Sequence, residues 1–144
     1  AAGVGAQVSL SIGASLDPQG VSVKTKAEVI RLEPGAEPAD NQAVVRIGGV
    51  TVVLAAKRRP YHNLDDFALL GLDPARVRLL VVKSGYLSPQ LAPLANPALM
   101  ALTDGVVNQD IPRLANLHRP KGTLPFDPRT EFTPEPQISA RAKA

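Results

Sequence analysis

The chain has 144 residues, 44% hydrophobic and 20% charged, which is enough apolar material for one domain with a packed core. With two Tyr, three Phe and no Trp, that core is aliphatic, and the aromatic platforms of single-stranded nucleic-acid binders are disfavoured. The formal charge of +3 comes from basic residues scattered along the sequence, among them Lys24, Lys26, Lys57 to Arg59, Arg76, Arg78, Arg113, Arg119 and Lys121, where a nucleic-acid footprint needs them on one face. The lack of Cys excludes a disulfide framework and a thiolate metal site. No apolar stretch approaches the roughly 20 residues of a membrane span, and no basic-then-apolar leader pattern opens the chain. The expectation is a cytoplasmic domain that partners neither nucleic acid nor membrane.

The chain opens on "AAGVGAQ" without an initiator Met, which reads as a sequence entered midway. In "AQVSLSI", Val8, Leu10 and Ile12 alternate with Gln7, Ser9 and Ser11, the period of a strand. "GASLDPQG" supplies turn chemistry. "VSVKTKAEVIRL" then places Val21, Val23, Thr25, Ala27 and Val29 on one face and Ser22, Lys24, Lys26 and Glu28 on the other. That is a half-buried strand of an antiparallel sheet with one wet face.

After the polar loop "EPGAEPADN" comes "AVVRIGGVTVVL". Gly48-Gly49 suits a two-residue hairpin turn. Counting outward pairs Ile47 with Val50, Arg46 with Thr51, Val45 with Val52 and Val44 with Val53, so turn and pattern agree. Beyond "KRRPYH", Asn63 predicts the N-cap of a helix over "LDDFALL", with Asp65 and Asp66 in the first turn and Gly71 as the stop. "VRLLVVK" is a continuous apolar run, the pattern of a strand covered on both faces. A short helix is expected around Gln90 to Ala95, a short strand at 99–103, and one or two helical turns in "QDIPRLANL". From Arg119 onward five prolines accompany no apolar period, which predicts an extended or disordered tail.

The predicted fold is thus α+β (mixed α/β). It is a β-rich domain with an antiparallel hairpin at 43–54, a buried strand at 77–83, a few short helices and an extended Pro-rich tail.

The residues that carry chemistry are few. Lys83-Ser84 stands where the apolar run ends. A Ser nucleophile with a Lys base needs the amine aimed at the hydroxyl, whereas neighbours in an extended segment point to opposite sides. The ends of buried strands do collect ligands in open α/β sheets, so a binding or interface role competes with a strand simply reaching water. His62 and His118 are the only histidines, and neither has a ligand partner at helical spacing. His62 is near Asp65 and Asp66, which helix capping explains equally well. "GVG" at 3–5 and "IGGV" lack the Walker lysine and the full G-x-G-x-x-G pattern. Asp104 and Asp110 sit in loop and helix-start composition. No self-sufficient active site follows from the residues.

The wording of the sequence adds more. The opening "AAGVGA", then "GASLDPQG", "VVRIGGVTVVLAAKR", "LDDFALLGLDPARVRLLVVKSGYLSPQLAPLA", "ALMALTDGVVNQDIPRL" and "RPKGTLPFDP" occur in order. Together they resemble the C-terminal region of the MlrC-like (microcystinase C) family of zinc metallopeptidases, over residues 1–127. The resemblance implies an MlrC-like C-terminal domain at 1–127, incomplete at its N-terminus, followed by a Pro-rich tail at 128–144. It implies zinc, absent from this chain, in a separate N-terminal catalytic domain. That domain is then the chief partner, a peptide or amide is the substrate of the full-length enzyme, and a homo-oligomer stays open. Lys83 and Ser84 match the family's "VKS", and Gly85-Tyr86-Leu87 matches one branch of it. Another branch has a histidine shortly after that serine where this chain has Leu87 or Ser88, so that histidine's role does not carry over. "GASLD" replaces the more usual "GGKTD" and loses its lysine.

The expected site is therefore non-catalytic: Lys83, Ser84 and Tyr86 as substrate-binding or domain-interface residues, with no catalytic residue and no metal ligand. The expected function is an accessory or substrate-binding domain of a zinc-dependent metallopeptidase. The alternative is an independent protein-interaction or assembly module that engages a partner through its sheet edge or tail. Exposed apolar surface on the chain favours the first, and a cooperative, monodisperse fold without a partner favours the second.

Overall fold

The computed structural model describes residues 2–14, 20–103, 108–115, 118–131, 133–139 and 141. The chain divides into two units, Ala1–Ala101 and Leu102–Ala144.

The first unit is built on an antiparallel sheet of β1 (Gln7–Ile12), β2 (Val23–Glu33), β3 (Gln42–Ile47) and β4 (Val50–Ala55), in sequence order. Each strand pairs with the next one in the chain, so every pairing is as local as a meander allows. Val8, Leu10 and Ile12 stand opposite Ala27, Thr25 and Val23. The other face of this half carries Ser9, Ser11, Lys24 and Lys26 into solvent, as the alternation predicts. The β3–β4 register pairs Ile47 with Val50 through Val44 with Val53, the pairing counted from the turn. Gly48 takes φ 56°, a conformation that costs a residue with a Cβ.

The single wet face does not extend across the sheet. A bulge between Val29 and Arg31 shifts β2 against β3 and brings Arg31 opposite Val44. Val44 is 0% exposed and its neighbour Val45 is 2% exposed. Successive strand residues point to opposite faces, so both faces are covered at this position. On Val44's side the cover comes from the segment around α1 (Leu64–Ala68). Tyr61 reaches Gln42 from there, and a side chain at Gly71 would meet Arg31. Phe67, Leu70 and Leu91 join Ala27, Val29, Val44 and Val45 as the buried apolar core.

α1 starts where expected and ends two residues early, at Ala68 rather than Leu70. Asn63 is its N-cap in extended conformation, with Asp65 and Asp66 in the first turn. The Asp66 carboxylate reaches back to accept the N–H groups of Asn63 at 3.0 Å and His62 at 3.1 Å, satisfying donors that the helix start leaves open. Gly71 ends the segment at φ 70°.

The strands expected at 77–83 and 99–103 are corrected, and the helix expected at Gln90 to Ala95 is shortened. Residues 77–83 form no strand, and Leu79 and Val81 are 79% and 82% exposed. The run is apolar enough for a buried strand, but none of the four strands lends it a backbone edge, and a strand exists only through that pairing. Residues 99–103 likewise lack a partner and stay irregular, with Leu99, Met100 and Leu102 exposed. The helix expected at Gln90 to Ala95 is a single 3-10 turn, Ala92–Leu94, where Pro93 removes a backbone donor. In "QDIPRLANL" one 3-10 turn, Ile111–Arg113, forms, while Asn116 and Leu117 lie outside the described residues. The middle of the turn "GASLDPQG" and Asp104 also lie outside them.

In the second unit the Asp127 carboxylate accepts the N–H groups of Gly122 at 2.8 Å and Thr123 at 3.2 Å. Arg119 stacks 4.1 Å above the Phe126 ring. Residues 133–139 carry no helix or strand.

Candidate functional site

The expected site residues fall in a loop. The Ser84 hydroxyl donates to the Tyr86 carbonyl at 3.0 Å and accepts the Tyr86 N–H at 3.4 Å, so it closes a local turn. Lys83 is exposed and has no ion-pair partner among the described residues.

Tyr86 connects this turn to a residue far away in sequence. Its ring lies 5.0 Å from that of His62, and its hydroxyl is 3.1 Å from His62 Nδ1. Two further bonds fasten the same segments together. The Ser88 hydroxyl donates to the His62 carbonyl at 2.6 Å, and Gln90 Oε1 accepts the Leu64 N–H at 2.8 Å. Ser88 is a buried polar residue, and this bond satisfies it.

His62 in turn lines a cleft of about 320 Å³, with Ala39, Asp40 and Gln42 on one side and residues 57–60, Asn63 and Asp66 around it. The end of β4 projects "KRR" into its rim, and Pro60 turns the chain toward α1. Lys57 pairs with Asp40, and Arg59 pairs with Asp66 at 3.1 Å. Arg59 also lies 5.9 Å from the centre of the Tyr61 ring. The Tyr61 hydroxyl donates to Gln42 Oε1 at 2.7 Å.

These neighbours set the local electrostatics. The bond from Lys57 holds the Asp40 carboxyl below its ordinary pKa, with partial desolvation working the other way. Burial pushes Asp66 up, but the hydrogen bonds from Asn63, Arg59 and His62 outweigh it and leave the group lowered. Burial raises the Tyr61 phenol, with the Arg59 charge opposing.

The arrangement can bind and orient a polar ligand. It does not fit a metal: among the described residues no group of three His, Cys, Asp or Glu side chains is placed to hold one. Nor is any described helix long and apolar enough to cross a membrane.

The structure brings Tyr86 to His62, while Ser84 and Lys83, next to Tyr86 in the chain, do not line the cleft. Reading the basic residues as scattered missed the cleft. Its signal was the unbroken "KRRPYHN" between a strand end and a helix cap.

Residues 1–118 match the family model described as MlrC C-terminus. No curated protein and no solved structure matches the chain. The match spans most of the sequence and includes the sheet, the cleft and the Tyr86 turn, so the chain belongs to the MlrC C-terminus family.

Proposed function

We propose that this chain is the accessory or substrate-binding domain of an MlrC-like zinc-dependent metallopeptidase. Hydrolysis of a peptide or amide bond belongs to an N-terminal catalytic domain that holds the zinc, since the described residues of this chain do not fit a metal site. The observation that carries this reading is the apolar run at 77–82, which is patterned as a covered strand yet stands open to solvent at Val77, Leu79, Leu80 and Val81. An exposed apolar stretch of this kind marks a surface that another part of the protein covers. Membership of a C-terminal family supports the reading that this part is an N-terminal domain of the same protein. Lys83, Ser84 and Tyr86 follow the run directly and become contacts to the catalytic domain or to its substrate. The protein acts in the cytoplasm, and a homo-oligomer is compatible with the same surface.

The test compares the 144-residue chain with the same chain preceded by whatever its gene encodes upstream. Zinc content and amide hydrolysis are expected only in the longer protein. In that protein Leu79→Asp and Lys83→Ala should lower turnover or loosen the domain assembly. Stoichiometric zinc or hydrolysis in the 144-residue chain alone would overturn the proposal, as would full activity in both variants. A monodisperse longer protein without zinc or hydrolysis would favour the assembly-module reading instead.

A further inference from the structure

We infer that the cleft lined by Gln42, Arg58 and His62 is a carboxylate-binding site, taking one carboxylate of a small acid or peptide. The charge count comes first. Lys57, Arg58, Arg59, Asp40 and Asp66 are the charged side chains that line it. Lys57 is matched by Asp40 and Arg59 by Asp66. Arg58 is exposed and has no ion-pair partner among the described residues. The cleft therefore offers one uncompensated positive charge, carried by a guanidinium whose planar fork fits the two oxygens of a carboxylate. A dianion such as phosphate would leave a second negative charge facing Asp40 and Asp66 with nothing to balance it.

A second observation comes from Gln42. It is 6% exposed, and its carbonyl oxygen already accepts from Tyr61. Its amide nitrogen has no acceptor among the described residues, yet it is not one of their sealed polar atoms, since the one such orphan is Arg119 Nε. Gln42 lines the cleft, so its amide borders the same space as the Arg58 charge. A bound carboxylate oxygen would accept from this amide in place of water. His62 completes the wall: Tyr86 engages Nδ1 and leaves Nε2 for the ligand. The charged groups that share the cleft with this imidazole are Lys57, Arg58, Arg59, Asp40 and Asp66, and its ring contact is Tyr86. The inference does not depend on the parent protein hydrolysing amides.

The chain has two histidines, which gives the test an internal control. Sodium acetate is titrated into the 144-residue chain at pH 7 and constant ionic strength, and the ring-proton NMR signals of His62 and His118 are followed. His62 should move saturably while His118 stays in place. Arg58→Gln should weaken the acetate affinity about tenfold, the share of one charge-assisted contact, and Arg58→Lys should recover part of it. Because Arg58 is exposed, both variants are expected to keep the wild-type melting temperature, and a variant that loses it is replaced by Arg58→Met at the same position. The inference is overturned if His62 shows no saturable shift, if His118 moves in parallel, if Arg58→Gln leaves the affinity unchanged, or if inorganic phosphate binds more tightly than acetate.

Discussion

Two stretches of this chain are rich in Val and Leu, and they end differently. The β3–β4 hairpin packs Val44 and Val45 almost completely out of water. The run at 77–82 leaves Leu79 and Val81 largely in it. Composition does not separate them. What separates them is the source of the partner backbone: Gly48-Gly49 folds β4 directly onto β3, while the second run needs an edge from elsewhere. An apolar sequence is a strand only where some other strand accepts its hydrogen bonds. The difference marks the first stretch as scaffold and leaves the second as exposed apolar surface.

The sharpest way to break that contrast is to put a carboxylate in each. Val44→Asp buries an unpaired charge and should prevent folding, with a cost above about 4 kcal/mol. Val81→Asp should change the stability of the chain by no more than about 0.5 kcal/mol. Urea denaturation followed by circular dichroism reads both, and a large loss from Val81→Asp would show that the run is packed after all.

A smaller effect tests the turn that gives the hairpin its partner. Gly48→Val forces a Cβ into positive φ and should cost about 1–2 kcal/mol, measured in the same titration. No loss would mean that the strands set the register without the turn.

The smallest effect concerns the cleft that borders the hairpin. Asp66→Ala removes the acceptor for the Asn63 and His62 N–H groups and should cost about 1 kcal/mol at neutral pH. Asp66 is held below its ordinary pKa in the folded chain. Its contribution is therefore complete above the ordinary carboxylate range and is lost as pH falls through the lowered value. The gap between the chain and Asp66→Ala should accordingly close on acidification below the ordinary range. A gap that stays constant into strong acid would remove the ionised carboxylate from the account.

The sheet was legible because its signals are local. Period-two alternation in β1 and β2, the Gly-Gly turn and the cap at Asn63 each lie within a few residues of what they organise. The bulge at Val29/Arg31 left a trace in "EVIRL", where the adjacent Val29 and Ile30 interrupt the alternation, but a period-two reading stops at Val29 and misses the second covered face at Val44 with it. The run at 77–83 misled because apolar content reports the wish to be covered and not the presence of a cover. The site was hidden for a related reason. Tyr86 and His62 are 24 residues apart, Ser88 and the His62 carbonyl 26, and nothing in either stretch announces the other. The basic run "KRRPYHN" was visible, but its meaning depended on Asp40 and Asp66 arriving to neutralise two of its three charges.

The triple fastening of residues 86–90 to residues 62–64 makes the loop after the apolar run a lever. Any neighbour that straightens residues 77–86 into a strand must either carry the imidazole of His62 with it or tear the phenol away. Were a neighbour to dock that way, a guest beside Arg58 would by reciprocity alter the grip on it by the same factor that the neighbour alters the guest's.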